Sequence, residues 1–479
     1  MSSSFSFYKW FQKVISIFID IFFVSAIIAT LFVFTSVFSG AIKYIFFILI
    51  AIIYGLVIYF LKDKIKGLIE SILARVSKLD VKTMLIVITL VMIILKVIFT
   101  VLFSFDATQD GDIKIYNEIA NGIVSSGALE SNAISHLFGV AIHLALFKFL
   151  NIPLNVGMFI PFYIGTIINF FSFKEIIGKE KSFLLILIYN LMPSSVLLSF
   201  CPTHELFVYL YLSFTIFIIN RLIKENNSII SVILSICLSV GTILTCMVNP
   251  VGYIIYVIDI LIIVLSNTKK MTKILLAVSI VLSVFGTNVI DRKLNVNEYI
   301  TSLNTYTILI HGSNPESLGE QVDGYPKAKM REYLVDNDIE ITADSFLVGA
   351  KHVLINQYVN FLTNPLLLLR LVCHKIYILW SGNHYSIELA HYYHAFNDIV
   401  FYALLVISTL IYLFMLTIGI VYYKRRENTD IEVSNYQLAI LGVFAVTMLS
   451  VVLNKYSVYV TLFIYLLSMY RMENDGKVD

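Results

Sequence analysis

Runs of roughly 17–25 apolar residues recur from the first few dozen residues of the chain to its last, each long enough to cross about 30 Å of hydrocarbon as a helix. In lipid every backbone polar group must be satisfied within the protein, so runs of this kind span as helices. The 479 residues are 58% hydrophobic and 14% charged, with a mean hydropathy of +0.86, far from a soluble globular composition. The expected fold is therefore all-α and integral to a membrane: a polytopic bundle of about twelve transmembrane helices with interfacial helices and an outer loop domain. The spans fall near 14–38, 44–61, 83–103, 154–173, 182–200, 206–222, 228–247, 251–266, 273–290, 398–422, 436–453 and 457–470. The first run lies behind Lys9 and Lys13, lacks a clear small-residue cleavage site and is followed by further spans, so it reads as retained. Cys201, Cys237, Cys246 and Cys373 have no metal-ligand spacing and suggest no disulfide framework, which leaves them as packing residues.

Basic residues orient the spans. With the N-terminus inside, the cytoplasmic segments collect Lys9 and Lys13, six residues between Lys62 and Lys82, Lys174 to Lys181, Arg221 and Lys224, Lys269 to Lys273, Lys424 to Arg426, and Arg471 and Lys477. These are 21 of the 34 basic residues, and 8 of the other 13 fall in one long outer segment that the positive-inside rule does not count. The same bias decides ISHLFGVAIHLALFKFL (134–150). As a full span it would turn the clusters around Lys179, Lys270 and Arg425 outward; laid along the outer interface, its His136, His143 and Lys148 suit a helix lying flat. Both termini are then cytoplasmic, and the Ile-, Lys- and Asn-rich usage points to the cell membrane of a bacterium.

The chain divides into a two-span region with a basic cytoplasmic loop (1–82), a transmembrane core (83–290) whose first outer loop covers 104–153, an outer loop region with an interfacial helix (291–397), and C-terminal transmembrane helices (398–479). No internal repeat and no inverted pair of interrupted helices stands out. Charges within spans are few, chiefly Asp20, Lys96 and Asp259, and form no obvious relay.

Chemistry must then be assembled from three outer segments: 104–135, CPTHE (201–205) with MVNP (247–250), and 291–397. The first follows a span, Thr83 to Phe103, whose only charge is Lys96, yet it carries Asp106, Asp110, Asp112, Glu118 and Glu130 against a single Lys114. From Ile113, apolar residues at 116, 119, 120 and 123 describe a short amphipathic surface helix. Asp112 sits where an N-cap would, satisfying free backbone N–H groups; a functional role is the other reading. Gly111 interrupts the helix before it, so Asp110 and Asp112 can turn toward one site from an extended segment. Three aspartates are more than a cap requires.

These residues resemble membrane glycosyltransferases of the GT-C type, which take sugars from polyprenyl-phosphate carriers. The resemblance rests on DATQDGDIKIYNEIANG (106–122), an aspartate-bearing first loop followed by a juxtamembrane helix, and on PSSVLLSFCPTHELFVYLYL (193–212), a proline-containing span leading to an outer acid at Glu205. It rests also on LIHGSNPESLGEQVDGY (309–325), similar to an Asn-Pro-Glu segment with trailing glycines and an Asp in bacterial members of the family 39-like group, matched by Asn314, Pro315, Glu316, Gly319 and Asp323. With the order of loops and spans it covers residues from about 83 to 470. Where the family often has an outer Arg-Tyr pair near the last span, this chain has NKYSVYV, with Lys455 and Tyr456.

The resemblance implies an inverting sugar transfer. A polyprenyl-phosphate sugar already carries a good leaving group, so the enzyme needs a base for the acceptor hydroxyl and a positive charge for the departing phosphate. Asp110 or Asp112 would be the base, with Asp106 beside them; Glu205, with His204, would orient the acceptor or help bind a divalent cation, Mg²⁺ or Mn²⁺. For the phosphate, NPLLLLRLVCHKIYILW (364–380) offers Arg370, His374 and Lys375 at helical spacing and headgroup depth, where ordinary lipid phosphates are the competing partners. The implied partners are a polyprenyl-phosphate-linked sugar, a glycan or protein acceptor and the lipid bilayer, with no nucleic acid. A cell-wall polysaccharide or teichoic-acid-like polymer is the favoured acceptor, since no soluble domain is present to read a peptide.

Other patterns are weaker. HELFV (204–208) begins like a zinc-protease helix but has Val208 where the second histidine belongs. ELAHYYH puts Glu388, His391 and His394 at three-residue steps, without further ligands nearby in sequence. The rival functions are a polysaccharide polymerase or ligase of the Wzy type, which relies on basic outer-loop residues, and a lipid-carrier flippase or transporter, which needs polar groups at mid-membrane depth.

Overall fold

The computed structural model describes residues 2–35, 40–103, 111–126, 135–266, 268–293, 298–322, 324–380, 384–423, 430–450 and 454–474, and among them the chain is helical throughout, with no strand. It opens with α1 (Ser2–Val33), α2 (Gly40–Val76) and α3 (Val81–Leu102), continues through two shorter helices, α4 (Gly111–Ser126) and α5 (Ser135–Phe149), and returns in α6 (Leu154–Ile177). An interrupted pair follows, α7 (Lys179–Leu191) and α8 (Pro193–Leu198), then α9 (His204–Lys224) and α10 (Ser228–Val248). A 3-10 turn at Pro250–Gly252 runs into α11 (Tyr253–Leu265), and α12 (Lys270–Lys293) comes next. The long stretch before the last helices holds α13 (Glu298–Gly312), α14 (Tyr325–Asp336), α15 (Ala343–Thr363), α16 (Pro365–Trp380) and α17 (Tyr385–Tyr392). The last elements are α18 (Asp398–Val421), α19 (Ile431–Leu449), a 3-10 segment at Asn454–Tyr459, α20 (Thr461–Tyr470) and a 3-10 turn at Arg471–Asn474.

Among the described residues nine helices, α1, α2, α3, α6, α9, α10, α12, α18 and α19, are long and apolar enough to cross a membrane. The protein is an α-helical multi-pass membrane protein. A tenth crossing arises if α15 and α16, which meet at a 107° bend, are counted as one. Three of the expected spans, 182–200, 251–266 and 457–470, are not single long helices. Pro193 supplies no N–H and holds Met192 extended (φ −74°, ψ 122°), which breaks the first. Asn249 is extended ahead of Pro250 and its side chain accepts the Val251 N–H at 2.9 Å, which restarts the second as a 3-10 turn. The third begins in the 3-10 segment Asn454–Tyr459, and only ten residues, Thr461–Tyr470, are α-helical.

Burial explains how short helices persist in such a chain. Every residue of α20 is buried, and α9 is buried over two-thirds of its apolar window, whereas no residue in the window of α2 is buried. Lipid takes the place of protein around α2, whose 37 residues, at 1.5 Å each, reach about 55 Å and outrun the hydrocarbon.

The turns α2–α3, α6–α7, α9–α10 and α11–α12 share one end of the bundle, tied together by the basic residues of the sequence. Lys179 Nζ donates to the Leu79 carbonyl (2.9 Å), Lys224 pairs with Glu432 of α19 (3.1 Å), Arg221 pairs with Glu175, and Lys269 donates to the Glu225 carbonyl (3.2 Å). The opposite end, the loop end, gathers α4, α5, the start of α9 and the 3-10 segments Pro250–Gly252 and Asn454–Tyr459. There α5 lies across the helix ends: Gly139 meets Met247 of α10, the His143 ring is 4.3 Å from Phe207 of α9, and Phe147 covers Gly157 of α6. Gly139 is the tightest of these contacts, since a Cβ there would stand 2.4 Å from the Met247 carbonyl oxygen, which a helix backbone cannot withdraw. Gly139→Val is expected to cost about 3 kcal/mol or more of stability. Gly122→Ala in α4, with open space around it, is expected to be neutral or stabilising. Thermal unfolding of the purified chain in detergent checks the pair, and equal melting temperatures would refute the close approach.

Candidate functional site

The interrupted helices converge at the loop end, where α9 begins. The 3-10 segment Asn454–Tyr459 packs on both α9 and α16, α7 and α8 flank it through α20 and α17, and Asn249 Nδ2 donates to the Tyr459 hydroxyl (3.4 Å). Broken helices leave carbonyl and N–H groups without intrahelical partners, so polar side chains are drawn to the breaks. Lys96, the one charge within the apolar stretch of α3, donates to the Ser199 carbonyl at the end of α8 (2.8 Å) and lies 3.1 Å over the Phe200 ring. Lys375 of α16 donates to the carbonyls of Thr447, Met448 and Ser450 (3.0, 2.9 and 2.6 Å), so its three N–H groups cap the end of α19.

At the centre is Glu205, in the first turn of α9 and wholly buried. A carboxylate near a helix N-terminus is favoured by the helix dipole. Two further groups stabilise it: His204 Nε2 lies 2.7 Å from Oε1, and Lys455 Nζ from the 3-10 segment lies 3.6 Å from the same oxygen. On the other side of His204, Nδ1 faces the Tyr116 hydroxyl of α4 at 3.4 Å. Tyr116 is buried, and it lies four residues beyond Asp112, about one turn or ~6 Å along the helix. The helix that follows the acidic segment is thus docked by its first buried tyrosine onto the Glu205 cluster. α5 holds it from outside, with Lys148 bonded to Asn117 and Asn121.

Asp106, Asp110 and Asp323 lie outside the described residues. Asp112 is the second residue of α4, because the helix opens at Gly111 and not after Asp112, so the cap position falls one residue or more earlier. His204 and Glu205 come together, ring nitrogen to carboxylate. The three cations of α16 diverge: Arg370 is exposed, His374 Nε2 meets Glu320 at 2.5 Å, and Lys375 is buried against α19. The Asn314–Glu316 motif is a compact turn in which Asn314 Oδ1 accepts the Glu316 N–H (3.0 Å) and the Asn314 carbonyl accepts the Gly319 N–H (3.1 Å). Gly319 adopts φ +89° and a Cβ there would come 2.5 Å from Lys375 Cε, so the motif closes over the capping lysine. Asn314 is buried, and its Nδ2 has no hydrogen-bond acceptor among the described residues. Among the described residues no group of three or more His, Cys, Asp and Glu side chains is placed to hold a metal ion, and His391 pairs with Asp398 (2.9 Å).

Sequence reasoning set His204 beside Glu205 and missed that Lys455 and Tyr116 join them. Tyr116 counted as one apolar position in a helical stripe, although its hydroxyl, one turn after the aspartates, was a polar tip needing a partner. No protein-family model, no curated protein and no solved structure matches this chain.

Proposed function

We propose that the chain is a membrane glycosyltransferase that moves a sugar from a polyprenyl-phosphate carrier to a glycan or protein acceptor on the outer face of a bacterial cell membrane. The observation that carries this reading is the docking of α4 through Tyr116 onto the His204–Glu205–Lys455 cluster. It brings the start of the helix that follows Asp106 and Asp110 to within about a turn of a buried, charge-balanced carboxylate. Counting α7–α8, α11 and α20 as interrupted crossings beside the nine long helices gives twelve, with the basic turns and both termini cytoplasmic and the loop end outside.

In this reading Asp110 or Asp112 takes the proton from the acceptor hydroxyl as it attacks the anomeric carbon, and the lipid phosphate leaves with the bonding electrons. Glu205, fixed by His204 and Lys455, orients the acceptor or takes part in binding Mg²⁺ or Mn²⁺. Arg370, exposed on α16, receives the departing phosphate, with His374 held by Glu320 a turn further on, while Lys375 braces the end of α19. In membranes supplied with labelled polyprenyl-phosphate sugar, Asp110→Asn combined with Asp112→Asn is expected to lower transfer by roughly 10²–10⁴-fold. Full transfer by the double variant would overturn the mechanism.

The interrupted helices favour a second reading, since broken helices line the substrate sites of many transporters. A lipid-carrier flippase would move labelled lipid across the membrane with no sugar transfer in the parent chain, so the same membranes separate the two.

A further inference from the structure

The stretch between α13 and α16 holds a groove that the proposed chemistry leaves unused. α14 and α15 pack around Met330, Leu334 and Ala350, and a cleft of about 330 Å³ opens beside that contact, within the range of small-molecule sites. Tyr325, Tyr333 and His352 line it. The Tyr333 ring stacks on His352 at 4.0 Å and 19°, and Tyr325 follows, its hydroxyl accepting a hydrogen bond from Gln357 Nε2 (3.2 Å). Its rim carries planar polar groups, Glu332 and Asp336 from α14 and Asn356 and Asn360 from α15. Positions 352, 356 and 360 recur every four residues, so α15 presents one polar stripe to the cleft.

The neighbouring stripe of α15 is different. Val348, Ile355, Val359 and Leu362 are exposed and apolar, and the ridge continues past the bend to Leu366 and Leu369. A soluble loop would not expose such a ridge; one resting on lipid would. The cleft would then open just above the membrane surface.

We infer that this cleft binds an uncharged oligosaccharide. Aromatic faces stack against the C–H faces of pyranose rings, amides both give and accept the paired hydrogen bonds that neighbouring hydroxyls offer, and carboxylates accept them. Charge argues against the anionic lipid donor here: the two carboxylates face a single ammonium, Lys329, which is already held by Glu332 at 2.9 Å. Binding at the cleft does not depend on the glycosyltransferase reading; its role as an acceptor site does rest on that reading.

The test uses the full chain in lipid nanodiscs, with maltotriose, cellotriose and chitotriose as probes in saturation-transfer NMR. At least one trisaccharide is expected to bind, with affinity lowered about tenfold or more by Asn356→Ala and by Tyr333→Ala, and retained in Tyr333→Phe and in Asp110→Asn combined with Asp112→Asn. Asn356 is exposed, so its variant reads binding without a folding defect. No binding by any of the three, or binding unchanged in both groove variants, would overturn the inference. Binding that follows this pattern while the aspartate double variant transfers normally would keep the groove and remove the glycosyltransferase mechanism.

Discussion

Replacing Lys455 by methionine is expected to destabilise the protein by about 3 kcal/mol, close to the lower bound for removing one partner of a buried ion pair. Glu205 is wholly buried and the Lys455 ammonium lies 3.6 Å from it, so the substitution removes that charge and leaves the carboxylate beside the His204 imidazole. The imidazole at 2.7 Å keeps the loss from being larger, because a ring nitrogen stays within hydrogen-bonding distance of the carboxylate. The cause is identifiable by a second change. With Glu205→Gln added, the charge that needed compensation is gone, and most of the lost stability is expected to return. Thermal unfolding of the parent, the single variant and the double variant in detergent measures both effects; a single variant that melts with the parent would show that the pair carries no stability.

Lys375→Met is expected to cost a further large sum, about 3 kcal/mol or more, because three carbonyls at the end of α19 lose their donor in a region from which water is excluded. Methionine has a comparable length and no N–H, so the change removes the hydrogen bonds while filling most of the space. The outcome bears on what Lys375 is for. A lysine that holds a lipid phosphate and nothing else would weaken donor binding and leave the melting temperature alone. A lysine that caps α19 would lower the melting temperature first, with donor affinity following only through the displaced helix. His374→Gln, on the half-exposed side of the same helix, is the companion that touches no cap.

Much of the architecture was legible because hydropathy in a membrane chain reports directly on spanning. Nine of the twelve expected spans correspond to long helices, and the basic turns that oriented them are bonded to one another at one end. The placement of 134–150 across the helix ends rested on charge bias alone, and α5 does cross them, with Gly139 as the feature that permits the contact. The interruptions were partly visible. Pro193 and Pro250 announce two of them, but no proline or glycine marks the passage from α19 to α20, and its signal is instead a lysine 72 residues earlier. Lys375 looked like an interfacial cation because a sequence shows the apolar neighbours of a charge and not the carbonyls it will cap. The same limit applied to Lys96, which seemed an isolated intramembrane charge, and to Asp20, which pairs with Arg471 across the whole length of the chain. At the candidate site, Glu205 was found from its place in a resembling motif, whereas Tyr116, against His204, and Lys455, against Glu205 itself, joined the cluster only through packing of residues far apart in the chain.

The central claim is that α4, the Glu205 cluster and the α14–α15 groove share the extracytoplasmic end. Labelling by a membrane-impermeant maleimide on intact cells tests it, in a background lacking Cys201, Cys237, Cys246 and Cys373, with one cysteine introduced at a time in place of exposed Lys114, Glu332 or Lys78. Positions 114 and 332 are predicted to label from outside, and position 78 only after the membrane is opened. Labelling of 78 from outside, or of 114 and 332 from opposite sides, would contradict the account.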